Sequence, residues 1–161
     1  MKHQESIDSI LRSTQLNWPE AYETMSPAVL RMVRVHHGFN QTLESAIGQY
    51  QLQVADFGIL VTLRRYPAPY CLSPTTLYSA MLFSSGGLTK VLNRVTQAGL
   101  IERVDNPEDK RSKLVQLTTS GKTLIDKVVL ELHLQQQRRM AVLTSDEQAQ
   151  LNHLLSKLGG R

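Results

Sequence analysis

The chain has 161 residues, enough for one compact domain with a sizeable hydrophobic core. Its formal charge of +4 is modest, so a local cluster of positive side chains is more informative than the total. No apolar run approaches the roughly 18 residues of a membrane span. Residues 1–13 lack the apolar core of a secretory signal, so we expect a cytoplasmic protein. The single cysteine, Cys71, excludes an internal disulfide and a CxxC metal or redox pair.

Helical patterns dominate the first third of the chain. Residues 1–25 carry a weak helical stripe, which Trp18-Pro19 interrupts because proline favours a helix start or a break. Ser26-Pro27 has the form of an N-cap followed by proline at the first helical position. A long helix is predicted from there to about Tyr50. His36 is a polar residue on its inward face, which indicates a groove or an interface rather than a dry core.

Two short helices are predicted in the middle of the chain. The first covers about Val54 to Arg65, and the segment 66–72 (YPAPYCL) after it is predicted to be a loop because it contains two prolines. Ser73-Pro74 caps the second helix. A turn and a polar-faced helix follow, so a helix-turn-helix is predicted over about 73–98.

The stretch from Ser84 to Arg111 contains the polar-faced helix and a charged hairpin. Apolar residues recur at i, i+3, i+4 and i+7, the spacing of one buried stripe: Leu88, Val91, Leu92 and Val95. The opposite face carries hydrogen-bond donors, namely Thr89, Lys90, Asn93 and Arg94. Gly99 suits the left-handed position just past a helix end. A wing of two strands is predicted over 101–117, with Lys110 and Arg111 at its tip.

This combination is typical of a winged helix-turn-helix, which binds the major groove of double-stranded DNA. Asn93 and Arg94 are the predicted base readers, because asparagine can bond to adenine and arginine to guanine through two hydrogen bonds. Phosphate contacts are predicted at the N-terminus of the polar-faced helix. The basic residues of the wing are predicted to enter the minor groove. Asp109 is expected to pair with Arg94 or Arg111 and orient it. The predicted DNA-binding residues are Ser84, Ser85, Thr89, Lys90, Asn93, Arg94, Asp109, Lys110 and Arg111.

Two further helices are predicted after the wing. Thr118 caps the first, and the capping box Thr144–Glu147 opens the second. The amphipathic helices of 26–50 and 118–158 present more apolar surface than a small winged domain can cover. We therefore expect them to pack against a second copy of the chain, and a two-fold dimer matches a palindromic operator.

The segment 99–121 (GLIERVDNPEDKRSKLVQLTTSG) resembles the wing signature of the multiple-antibiotic-resistance regulator (MarR) family. The family usually has two arginines after the wing aspartate. Here the first is Lys110, which keeps the charge but loses the planar fork. The resemblance extends over about 27–158. It implies a mostly helical homodimer that represses, or sometimes activates, promoters. In many members a small phenolic or other aromatic ligand binds between the dimer helices and the winged lobe and lowers DNA affinity.

The N-terminal part is similar to a narrower group with an extra first helix, some members of which respond to urate. The similarity lies in Trp18-Pro19, TLRRYPAPYCLSPTTL and SSGGLT. Gly58 stands where that group typically has an aspartate, with Asp56 two residues earlier, so urate is not assigned. Trp18 and His36 are candidate ligand contacts, since a ring and a polar group suit a phenolic acid. The alternative is that Trp18 attaches the extra helix to the dimer.

The sequence therefore predicts a mainly α fold with a small β wing. The expected organisation is an N-terminal extension helix in 1–25 and a MarR-type domain in 26–160, whose DNA-binding lobe is 54–117. The expected function is a homodimeric repressor released by an aromatic ligand. Two alternatives are a winged-helix protein-interaction module and a redox-responsive regulator using Cys71. No catalytic cluster and no cofactor are expected. A metal site is not expected either, because the HExxH motif is absent and the adjacent histidines cannot share a helix face.

Overall fold

A computed structural model describes residues 5–82, 87–109 and 111–159, and the predicted mainly α fold with a small β wing is confirmed. The chain divides into two compact units, residues 1–41 and 42–161. None of the described helices is long and apolar enough to cross a membrane. The helices in the described residues are α1 (Ile7–Asn17), α2 (Pro19–Thr24), α3 (Pro27–Gly48), α4 (Val54–Arg64), α5 (Pro74–Ala80), α6 (Leu88–Gln97), α7 (Thr119–Met140) and α8 (Ser145–Gly159). The strands are β1 (Cys71–Leu72), β2 (Ile101–Asp105) and β3 (Lys113–Leu117).

The first unit contains the separate helices α1 and α2 and the first part of α3. The break predicted at Trp18-Pro19 is confirmed, because α2 starts with Pro19. Two hydrogen bonds join α3 to the start of the chain: Arg31 donates to the carboxylate of Asp8 at 2.7 Å, and Arg34 donates to the carbonyl oxygen of Glu5 at 2.9 Å.

The hydrophobic core of the second unit is built around α4. Seven of its eleven residues are buried, as expected for a helix surrounded on most sides. The end of α3, helices α5, α6 and α7, and the sheet each contribute side chains to the same cluster. Among its most completely buried members are Ile59, Leu60 and Leu63 of α4, Leu77 of α5, Leu92 and Val95 of α6, Ile101 and Val115 of the sheet, and Ile125 and Val128 of α7.

The sheet has three antiparallel strands in the order β1–β3–β2. The hairpin β2–β3 is the predicted wing, and its register pairs Arg103 with Val115. The loop predicted over 66–72 is wrong at its end, where β1 pairs with β3 through Cys71 opposite Gln116. A strand of two residues has too little periodicity to be recognised locally, and it forms because β3 offers a free edge.

The predicted helix starts depend on side-chain caps that the structure contains. The hydroxyl of Ser73 accepts from the amide of Thr76, and that of Thr118 accepts from the amide of Gly121. The capping box at Thr144 is also confirmed, since the Glu147 carboxylate accepts from the Thr144 amide at 2.7 Å. At the start of α6, Gly87 is the N-cap with a φ of +82°, a left-handed conformation that glycine adopts without strain.

Gly121 should not tolerate a larger side chain, because its backbone lies against the carbonyl of Leu100. A Cβ there would clash with that oxygen. We expect Gly121→Ala to lower the free energy of unfolding by about 1–3 kcal/mol, the usual effect of overpacking. Chemical denaturation followed by circular dichroism measures this. Gly48→Ala is the matched control, since no atom of the described residues, apart from its chain neighbours and its own helix backbone, lies within 4 Å of its Cβ position. An equal loss in both variants would contradict the close approach.

Candidate nucleic-acid interface

Helix α6 has the two unlike faces that its sequence predicts. Val91, Leu92 and Val95 are buried against the core. Thr89, Lys90 and Asn93 are exposed on the other side. Since the apolar face packs in the core, the donor-rich face points outwards and is exposed to solvent.

Arg94 lies between these two faces and is engaged by Asp56 in the first turn of α4. Its Nη2 and Nε donate to Oδ1 of the carboxylate at 2.7 and 3.0 Å. Oδ2 of Asp56 in turn accepts from the backbone amide of Gln53 at 2.9 Å. The carboxylate is only 4% exposed, whereas the arginine is 36% exposed. Two of the guanidinium nitrogens predicted to read a base therefore already point towards α4.

The tip of the wing is ordered by its own side chains. Asp109 Oδ1 accepts from the backbone amide of Arg111 at 3.0 Å. Asn106 accepts from the amide of Glu108 and donates to the hydroxyl of Ser112 at 2.9 Å. Of the two arginines expected to pair with Asp109, Arg94 has its guanidinium bound to Asp56, whereas Arg111 donates its backbone amide to Asp109. Asp109 holds the main chain of Arg111, whose side chain is exposed.

Three predicted phosphate or groove contacts lie outside the described residues. They are Ser84, Ser85 and Lys110. Of the predicted set, the structure brings Thr89, Lys90 and Asn93 together on one face of α6, with Asp109 and Arg111 on the neighbouring wing.

Two arginines at the end of α4 contact the neighbouring helices, and the sequence did not single them out. Arg65 donates to the carbonyl oxygen of Ala80, the last residue of α5. Arg64 Nε donates to Asp126 of α7 at 2.6 Å, and Lys122 donates to the other carboxylate oxygen at 2.8 Å. Hydrogen bonds from the Lys122 ammonium, which has the larger effect, and from the Arg64 guanidinium hold the pKa of Asp126 below its ordinary value. The only local signal was the pair of adjacent basic residues at a helix end, where cations are common.

The two candidate ligand contacts lie in the first unit. Trp18 joins α1 to α2 and is 65% exposed. The ring Nε2 of His36 lies 2.8 Å from the side-chain amide nitrogen of Asn40, one turn further along α3. A groove between α1 and α3 of about 420 Å³ is lined by Ile10, Leu30 and His37 among others, but by neither candidate.

A second groove lies between α4 and α7, in the other unit. Its volume is about 490 Å³. Its walls are mainly apolar, and two arginines and one aspartate also line it. The lining residues are Val61, Arg64, Arg65, Ile125, Asp126, Val129 and Leu130.

No cluster of three or more histidine, cysteine or acidic side chains that could hold a metal ion occurs within 5–82, 87–109 and 111–159. Cys71 is half-buried in β1, and burial raises the pKa of its thiol.

Comparison with known proteins identifies close relatives. The model of the MarR family matches residues 50–112. The chain is 36% identical to the HTH-type transcriptional regulator PecS of Dickeya dadantii over 78% of this chain and 74% of that protein. It is 32% identical to the multiple antibiotic resistance protein MarR of Escherichia coli, over 81% and 92% of the two chains. A crystal structure of an E. coli MarR mutant complexed with operator DNA superposes with a TM-score of 0.64 at 31% identity, covering 81% of this chain and 95% of that one.

Cys71 should react slowly, because the thiolate is the nucleophile and a raised pKa leaves less of it at neutral pH. We expect iodoacetamide at pH 7.5 to alkylate Cys71 more slowly than it alkylates free glutathione. Mass spectrometry of timed samples measures the rate, and urea-unfolded protein is the control. Alkylation of the folded protein faster than of glutathione would favour the redox-responsive alternative.

Proposed function

Because this chain belongs to the MarR family of DNA-binding transcription regulators, we propose that it is a homodimeric repressor of a palindromic operator, released by a small aromatic ligand. Its relatives are regulators and not enzymes. The observation that carries the proposal is the exposed donor-rich face of α6 beside an exposed wing arginine. We expect the protein to act in the cytoplasm.

In this proposal α6 lies in the major groove and the wing follows the adjacent minor groove. Asn93 reads adenine through its amide, and Lys90 bonds to guanine or to a phosphate. Thr89, in the first turn of α6, contacts a phosphate, as do Ser84 and Ser85, which the sequence alone supports. Arg111, together with Lys110, enters the minor groove, where the negative potential favours a guanidinium.

The homodimer is supported by apolar surface that the single chain leaves uncovered. Helices α3, α7 and α8 each carry an exposed apolar stripe, represented by Val33 at 62%, Leu134 at 55% and Leu158 at 70% exposure. Long apolar stripes on three helices exceed what a monomer usually presents to water. A two-fold axis through them would repeat α6 at the distance of successive major grooves.

The proposed aromatic ligand has two candidate positions, one suggested by the sequence and one by a groove. Trp18 and His36, which the sequence alone supports, offer a ring and a polar group. The groove between α4 and α7 offers apolar walls that Arg64 and Arg65 also line. A planar aromatic acid suits such a groove, since its ring is buried while its carboxylate meets a cation. Ligand would act by favouring a population of dimers whose two α6 helices no longer match the operator spacing.

Selection of bound duplexes from a random pool, followed by titration of salt, tests the proposal. A dimer with about 6–10 phosphate contacts should lose roughly 10³–10⁵ in affinity between 50 and 200 mM salt. Binding to no duplex, or a salt-insensitive interaction, would contradict it and favour a protein-interaction module. Addition of a panel of aromatic acids to the bound complex tests the ligand, and release by none of them would contradict that part.

Two substitutions distinguish a base reader from a backbone contact. Asn93→Ala should weaken the free energy of binding to the selected operator by about 1–3 kcal/mol and relax the preference at one base pair. The reason is that it removes the two hydrogen bonds between the side-chain amide and adenine. Arg111→Ala should weaken binding to all sequences alike and reduce the salt dependence. Fluorescence anisotropy with single-base-pair operator variants measures both. A uniform loss for Asn93→Ala with a local loss for Arg111→Ala would reverse the assignments.

The dimer is tested by placing charge in the α8 stripe. In analytical ultracentrifugation we expect the wild-type protein to have twice the chain mass. The double variant Leu154→Glu/Leu155→Glu should have the mass of one chain and should bind the operator more weakly. Ala149→Glu adds a charge to the opposite face of α8 and is the control. A wild-type monomer at micromolar concentration, or a double variant that stays dimeric, would contradict the assignment.

A further inference from the structure

Asp56 is a buried carboxylate that needs an explanation. Among the described residues, only Asp56 and Thr62 are buried polar or charged side chains. Removing a carboxylate from water is costly unless opposite charge and hydrogen bonds compensate it. Here both oxygens are satisfied, Oδ1 by Arg94 and Oδ2 by the amide of Gln53 and a longer, 3.3 Å contact with Arg94 Nε.

The contact between Asp56 and Arg94 restricts rotation of α6 about its axis more than the apolar packing of that helix does. The apolar residues Val91, Leu92 and Val95 hold α6 against the core, but hydrophobic contact tolerates small rotations of a helix about its axis. A guanidinium that donates through two nitrogens to one carboxylate tolerates them much less. Arg94 follows Asn93 directly and lies one turn after Lys90, so the rotation of α6 determines where both of these side chains point.

Resting on the proposed DNA-binding function, we propose that Asp56 is a positioning residue for base recognition. Through Arg94 it sets the rotation of α6, and Arg94 acts on DNA indirectly instead of contacting a base. This replaces the assignment of Arg94 as a base reader. Thr89, Lys90 and Asn93 then form the reading face.

Electrostatics and positioning predict opposite effects when Asp56 is neutralised. Asp56→Asn removes a negative charge from the DNA-binding lobe and releases the guanidinium of Arg94. By charge alone, both changes strengthen binding to a polyanion. If the carboxylate positions α6, the same variant binds the operator more weakly and discriminates less between operator variants.

The experiment compares the full-length wild type with Asp56→Asn, Arg94→Gln and the double variant on the selected operator and all its single-base-pair variants. We expect each single variant to lose at least tenfold in operator affinity and to lose preference at several positions together. The double variant should be no weaker than the weaker single variant, because the two side chains act as one unit. Asp105→Asn is the charge control, since its carboxylate is exposed and pairs with exposed Lys113, and its operator affinity should not fall.

Arg94→Lys separates positioning from a phosphate contact. Lysine keeps the charge that a phosphate needs but cannot form the two-nitrogen contact with Asp56. We expect Arg94→Lys to lose preference at the same positions as Asp56→Asn, and circular dichroism to show that its helices are intact. If Asp56→Asn does not fold, this variant decides the question, and wild-type-like binding by it would overturn the proposal.

Three results would overturn the proposal on Asp56 alone. They are operator binding by Asp56→Asn as tight as the wild type or tighter, loss of preference at one base pair in Arg94→Gln but not in Asp56→Asn, and additive losses in the double variant. A wild-type protein that binds no duplex would overturn the proposed function, and this inference with it.

Discussion

Charged residues at the two ends of α4 bind the helices that pack around it. At its start, the buried carboxylate of Asp56 holds Arg94 of α6. At its end, Arg65 reaches the last carbonyl of α5, and Arg64 is paired with Asp126 of α7. The apolar core between them supplies most of the favourable free energy but little direction. In the proposed account, these polar contacts orient the helix-turn-helix, and the direction of the outward face of α6 depends on them.

The apolar surface that a single chain leaves exposed supports the proposed dimer. A core around α4 satisfies the inner faces of α5, α6 and the sheet, whereas the stripes on α3, α7 and α8 stay exposed in one chain. A second copy would cover them and set the distance between two α6 helices. In that arrangement the ion pair between Arg64 and Asp126 connects the reading lobe to a dimer helix. A ligand in the groove between α4 and α7 would lie beside this connection.

Much of the fold could be predicted because it depends on local patterns. The apolar spacing in α6 and the caps at Ser73 and Thr118 are each visible within a few residues of sequence. Strand β1 and the partner of Arg94 could not be predicted in that way. The first needs the edge of β3, more than forty residues later, and the second needs Asp56, which precedes Arg94 by 38 positions. An amphipathic pattern can place a side chain at the border of a face, but it cannot reveal a distant partner.

Hydroxyl-radical footprinting on a selected operator tests the central claim that two copies of α6 and its wing read DNA together. The account predicts two protected regions related by two-fold symmetry, with centres about 10–10.5 base pairs apart or a multiple of that spacing. Each region should extend into the adjacent minor groove, where Arg111 is proposed to enter. A single protected region, or uniform weak protection along the duplex, would contradict the account.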